Sequence, residues 1–296
     1  MGKRKQTKKF KELMCSPSRK NKKDYSCYND NTLKKMRKRW NRTHKKDKIE
    51  SNRSKDIWVE LNKNLRKVCN KESCWLEQDF MNGVDKDEIK RKTWAPQHPE
   101  TWKDNPNTWL NSLDIEGVMK QYEDTYKDFK FIGPSPIDFD TIMEENNSDN
   151  YKGKKQAVWP ELKNLNINKQ KKKGINKIGI IFNLDPHTKG GSHWVAMYID
   201  IKKSKIYYFD SNGIDAPKQV KALVKRIKAQ GRAIGKNFSY EHNSFEHQME
   251  DTECGIYTLY FIINMLKGRN FSYFKQNRIA DETMMKLRKK YFNQQL

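Results

Sequence analysis

The chain has 296 residues, with 61 Lys and Arg against 37 Asp and Glu, giving a formal net charge of +24. That length holds one large domain, or a core of about 150–200 residues with an appendage. The longest apolar run, Ile256 to Leu266, is too short to cross a bilayer, the early lysines are followed by no apolar leader, and five cysteines make no tight framework. Membrane-spanning, secreted and disulfide-scaffold classes are therefore disfavoured, and the cysteines are expected as free thiols in a reducing compartment.

Charge is unevenly placed. Residues 1–50 carry 19 Lys/Arg against five Asp/Glu, a net of +14. Residues 1–52 read as a basic, disordered arm suited to an anionic partner such as DNA, and Lys34 to Trp40 is dense enough to act as a nuclear-localisation or nucleic-acid patch. A solubilising tail has the same composition. Cys15, Cys27, Cys69 and Cys74 lack the paired spacing of a zinc site, so no metal is expected.

Residues 53–106 form a helical arm segment and a linker. Ile57, Trp58, Leu61, Leu65 and Val68 fall near helical spacing, and Trp75, Leu76 and Phe80 follow. The prolines at 96, 99 and 106 then break regular structure.

Residues 107–296 read as the core. A helix opens near Asp114, and Phe129 to Ile132 is a short strand stopped by Gly133-Pro134. Residues 144–155 and 162–177 read as polar loops. Residues 178–182 form an apolar strand. Residues 193–201 alternate, with Val195, Met197, Ile199 and Ile201 on one face and Trp194, Ala196 and Tyr198 on the other. Lys202 to Lys205 is a turn into the strand 206–209. Val220, Leu223, Val224 and Ile227 mark an amphipathic helix, with Pro217 in its first turn and Gly231 past its end. A short strand lies near 238–240. Residues 254–266 make a helix apolar on nearly every face, hence central, and a last helix spans about 281–292.

The chemistry gathers on these elements. Cys254 stands at the start of the central helix, where backbone N–H groups favour a thiolate. Gly255 after it allows close approach of a substrate backbone. His193 opens one strand of an expected antiparallel pair and Asp210 closes the other, so Asp210 can hold one imidazole nitrogen while the second faces the thiol. Gln248, six residues before Cys254, offers an amide donor for an oxyanion together with the Cys254 N–H. A buried cysteine, a turn aspartate and a solvated glutamine are the ordinary roles of such residues; their order and placement set this group apart. His187, His242 and His247 lack that context and read as structural.

His193-Trp194, Asp210-Ser211, Gln248 and Asp251-Thr252-Glu253-Cys254-Gly255 resemble the His, Asp, Gln, Cys series of the adenain/Ulp1 cysteine peptidases, over roughly residues 107–296. Trp109-Leu110-Asn111 is similar to a Trp-Leu segment of the Ulp1-like members. The resemblance implies an α+β fold with a papain-like core, a central helix packed on a mixed β-sheet, and an N-terminal basic and helical arm. It implies catalysis without a cofactor by Cys254, His193, Asp210 and Gln248, with Trp109 and Trp194 flanking a channel for Gly-Gly substrates. The basic head, the helical arm and Phe131-Ile132-Gly133-Pro134 most resemble maturation proteases of large DNA viruses, of the African swine fever virus type. The expected activity is cleavage of viral structural polyproteins after Gly-Gly, in the virion and at cytoplasmic assembly sites, with the basic arm also compatible with the nucleus. Two rivals stand beside it: an isopeptidase acting on ubiquitin-like conjugates, and a basic nucleic-acid-binding virion protein. Gly190-Gly191-Ser192 looks like a cleavage site but is better explained as a strand-connecting loop.

Overall fold

The computed structural model describes residues 13–18, 24–143 and 155–294. The chain divides into two units, residues 1–98 with 289–296, and residues 99–288. The expected boundaries fell after residues 52 and 106. The expected loop at 144–155 lies, but for Lys155, outside the described residues.

In the first unit, α1 (Asp30–Thr43) begins where Asn29 accepts a hydrogen bond from the Thr32 N–H at 2.8 Å. This corrects the expectation of mobile chain for residues 24–52. Leu33, Met36 and Trp40 recur at helical spacing and are buried, a pattern that the surrounding lysines masked in the sequence. Lys34, Lys35 and Lys38 of the basic patch are exposed on the same helix. After α2 (Ser54–Leu65) and α3 (Lys86–Thr93), the core closes around Tyr28, Trp75 and Trp94. Buried Glu72 accepts the Cys27 N–H at 3.0 Å and the Trp58 indole N–H. Asn293 accepts from the Met14 N–H at 2.6 Å and donates to the Met14 and Ala95 carbonyls, tying three distant stretches of this unit together. The cysteines are also corrected: Cys15 pairs with Cys27 and Cys69 with Cys74, leaving Cys254 free. Spacing could not show these pairings, because the turns of this unit bring the sulfurs together.

The second unit is built on a five-stranded sheet. It opens with α4 (Ser112–Thr125), started by a reciprocal capping box in which Asn111 and Asp114 satisfy each other's backbone N–H groups. β1 (Phe129–Pro136) runs through Gly133-Pro134 rather than stopping there, with an irregularity between Ile132 and Ser135. A ribbon of β2 (Ile142–Met143) and β3 (Gln156–Ala157) follows. The expected loop at 162–177 holds α5 (Pro160–Lys163) and α6 (Ile167–Lys172), short helices whose few anchors, Leu162, Leu165 and Ile167, are too sparse to show a period.

Next come β4 (Lys177–Asn183), β5 (Trp194–Asp200), β6 (Lys205–Phe209), α7 (Lys218–Arg232), β7 (Ser239–His242), α8 (Cys254–Leu266), α9 (Ser272–Gln276) and α10 (Asp281–Tyr291). The sheet order is β1-β4-β5-β6-β7, with β4-β5-β6 antiparallel and both edge pairings parallel. Every residue of β5 is buried, as a central strand covered on both faces requires. Val195, Met197 and Ile199 join the apolar side of α7. α8 packs on β4 and β5 together with α4. A Cβ at Gly179 would stand 3.0 Å from Ile262, so this glycine lets α8 sit close to β4.

Gly231 lies inside α7 rather than beyond its end. A Cβ there would meet the Phe238 ring at 2.4 Å and the Lys236 carbonyl at 2.8 Å. Gly231→Ala is expected to destabilise the fold by about 1–3 kcal/mol through overpacking, read as a lower urea midpoint.

Candidate active site

β5 and β6 are antiparallel, so the residue before one and the residue after the other leave the sheet at the same end. There the His193 Nε2 lies 2.7 Å from the Asp210 Oδ1. Cys254 acts on the same imidazole, so the structure brings carboxylate, imidazole and thiol together. Asp210 takes Nε2, which leaves Nδ1 for the sulfur. Burial pulls the His193 pKa down, but the hydrogen bonds to Asp210 and Cys254, and then their charges, outweigh it and lift the value from 6.5 to about 9.

Cys254 is the first residue of α8 and only 2% exposed. The N–H groups of a helix's first turn have no intrahelical acceptor, so they face outward as donors beside the thiol. A Cβ on Gly255 would stand 3.1 Å from the Leu110 Cβ and 3.4 Å from the Trp194 Cδ1. Trp194 is 8% exposed, with its indole N–H donating to the Leu110 carbonyl at 3.0 Å, whereas neighbouring Trp109 is 41% exposed. One tryptophan is thus fixed under the site and the other open to contact.

Gln248 is tied to the residue after Asp210. The Ser211 hydroxyl donates to the Gln248 Oε1 at 2.7 Å, and the Ser211 carbonyl accepts the Gln248 N–H at 3.0 Å. The amide nitrogen donates to the Glu250 carbonyl. A primary amide carries a second N–H beside the one given to Glu250. Fixed donors beside a thiol and a protonated imidazole can perform acyl transfer on a carbonyl substrate.

Sequence reasoning missed Asn243. This fully buried residue accepts the Asp210 N–H at 2.9 Å and donates to the carbonyls of Asp210 at 2.7 Å and Phe245 at 3.0 Å. An asparagine one residue after a short strand carries no local mark of that duty. His247 does have a structural part: its Nε2 bonds the Phe274 carbonyl at 2.9 Å and its Nδ1 accepts the Ile279 N–H. Among the described residues no group of three or more metal-binding side chains occurs. Asn243→Ala strips both hydrogen bonds from the Asp210 peptide. It is expected to cost about 1–3 kcal/mol of stability and to lower kcat/KM roughly tenfold, checked by denaturant titration and steady-state kinetics.

The profile described as "Ulp1 protease family, C-terminal catalytic domain" matches residues 119–296. A protein of Acanthamoeba polyphaga mimivirus that carries a thiol protease name is 32% identical over 95% of this chain and 94% of its own length. A cysteine protease of African swine fever virus, isolate Tick/Malawi, is 29% identical over 81% of this chain and 90% of its own; its counterpart in the Pig/Kenya isolate is named a SUMO-1 cysteine protease. The crystal structure of an African swine fever virus protease superposes with a TM-score of 0.68 over 95% of both chains, at 23% identity, and so shares the fold. A free cysteine at a helix start, facing an imidazole held by a carboxylate on this mixed α and β fold, agrees with these matches: the chain belongs to the Ulp1 protease family and is a cysteine-type peptidase.

Proposed function

We propose that the protein is an endopeptidase that cleaves after Gly-Gly and processes viral structural polyproteins during virion maturation. The observation that carries the reading is His193 set between Asp210 and Cys254 at the start of α8. The Cys254 sulfur attacks the scissile carbonyl, forming a C–S bond. Gln248 and the Cys254 N–H receive the oxyanion. The His193 imidazolium gives its proton to the leaving amine as the C–N bond breaks. His193 then takes a proton from water, whose oxygen attacks the thioester and releases the acid and the thiol. Asp210 keeps the imidazole oriented through both steps and stabilises it whenever it is protonated.

Preference for Gly-Gly is supported by the resemblance of Trp109-Leu110-Asn111 and His193-Trp194 to the Ulp1-type segments. Trp109 is exposed and offers a flat aromatic wall to a substrate backbone without side chains. Action in the virion and at cytoplasmic assembly sites is supported by the viral relatives. DNA binding through the basic head is supported by its net charge, though residues 1–12 and 19–23 lie outside the described structure.

Cleavage of ubiquitin-like conjugates is the second reading, supported by the SUMO-1 protease name of one relative. The test sets wild type against Cys254→Ala on a panel of Gly-Gly-X peptides. Wild-type turnover that vanishes in the variant, with unchanged thermal unfolding, is expected; turnover retained by the variant refutes the assignment. Rapid labelling of Cys254 by a SUMO or ubiquitin probe with a C-terminal electrophile would move the substrate to the second reading.

A further inference from the structure

The final helix of the second unit reaches the site from behind. Asp281 and Arg288 stand seven residues apart on α10, two turns along one face, with buried Met284 between them. The Asp281 Oδ2 accepts the N–H groups of Met249 at 3.0 Å and Glu250 at 3.2 Å, the two residues that follow Gln248. Its Oδ1 lies 2.9 Å from the hydroxyl of Tyr257, in the first turn of α8. Burial, and then the bond to Asp281, keeps that phenol protonated. Glu250, whose N–H Asp281 holds, also presents the carbonyl that receives the Gln248 amide. Asp281 thus fixes the frame on which the Gln248 side chain hangs.

Arg288 does the same work at the other end of the loop. It is 3% exposed and its partner Glu253, immediately before Cys254, is 1% exposed. The Nε lies 2.8 and 3.0 Å from the two Glu253 oxygens, and Nη2 contacts Glu253 at 2.7 Å and the Thr252 carbonyl at 3.0 Å. The Nη1 donates to the carbonyls of Pro106 at 3.2 Å and Thr108 at 2.9 Å, and the guanidinium covers the Trp102 ring at 4.4 Å. Every polar edge of the fork is used, as a charge buried this deeply requires. One side chain therefore sets both the residue ahead of the nucleophile and the segment leading into Trp109.

We propose that α10 is a positioning strut for catalysis, resting on the peptidase reading above: Asp281 fixes the oxyanion loop and Arg288 fixes the start of α8 against the Trp109 segment. Neither residue touches substrate. Their contributions separate by chemistry, because alkylation of a thiol by iodoacetamide develops no oxyanion, whereas peptide hydrolysis does.

The experiment compares wild type, D281N, Q248A, the double variant and R288K, in kcat and KM on a Gly-Gly-X peptide and in the iodoacetamide alkylation rate of Cys254. D281N is expected to lower kcat about tenfold, as loss of oxyanion stabilisation does, with KM and alkylation rate unchanged. Added to Q248A, it should cost nothing further, because it acts through Gln248. R288K keeps a charge for Glu253 but cannot span the carbonyls of Pro106, Thr108 and Thr252, so it should slow alkylation as well as hydrolysis. Additive losses in the double variant, or slowed alkylation in D281N, would reduce Asp281 to a structural contact and overturn the proposal. So would unaltered alkylation in a folded R288K. Should R288K fail to fold, the cycle on Asp281 and Gln248 decides the matter alone. A wild type that alkylates at Cys254 but cleaves no Gly-Gly peptide refutes the underlying reading, and the strut with it; a wild type that cleaves normally beside an unaffected D281N refutes only the strut.

Discussion

The hydrogen bond between His193 and Asp210 is the contact on which the rest of the site depends. An imidazole buried this far would ordinarily lose its proton, because the charged form forfeits hydration. A 2.7 Å contact with a carboxylate that is itself 1% exposed reverses that preference. The antiparallel pairing of β5 and β6 delivers both residues to one end of the sheet, and Asn243 then secures the Asp210 backbone from both sides. The Asp210 Oδ1 also accepts the Asn212 N–H at 2.9 Å, so the turn after β6 locks the carboxylate in place. The chemistry is thus written into strand ends before the thiol is considered.

The other half of the site comes from helices. α8 packs on the sheet through an apolar surface, and its position fixes where its first residue, Cys254, meets the imidazole. Gly179 beneath Ile262 and Gly255 beneath Leu110 and Trp194 mark the two places where that packing leaves no room for a side chain. Ser211, Asp281 and Arg288 hold the loop that joins Gln248 to Cys254 through polar contacts. Such groups are worth little as stability, since burying them costs about as much as their pairing returns. The proposed value of these contacts is positional, because catalysis depends steeply on how the reacting groups are held.

Much of this could be read in the sequence, and for a physical reason. β5, β6 and α8 have strong periodicity or continuous apolarity, and His193, Asp210 and Cys254 flank or begin them, so finding the elements places these three; Gln248, in the loop before α8, was found through its order with them. The resemblance to the Ulp1 group rested on those same residues. What escaped was non-local or built from common residue types. Arg288 lies among Lys286, Lys289 and Lys290 and looks like one more cation on a surface helix, while Asp281 looks like an ordinary charge at a helix start. Asn243 has no distinguishing neighbours. The buried stripe of α1 was hidden by a lysine-rich composition that reads as disorder, the disulfides by cysteine spacings that show no pairing, and β1 passes through Gly133-Pro134 with a shift in its register to β4.

The most direct test of the account is the titration of the His193 imidazole, followed by NMR in ring-labelled protein and assigned against His193→Gln. The folded value of about 9 stands above the ordinary 6.5, so the charged pair stabilises the fold fully below pH 6.5 and its contribution is lost as pH rises through about 9. A wild-type midpoint near 9 that falls toward the ordinary value in Asp210→Ala is expected. A midpoint at or below 6.5 in the wild type, unmoved by that substitution, would contradict it.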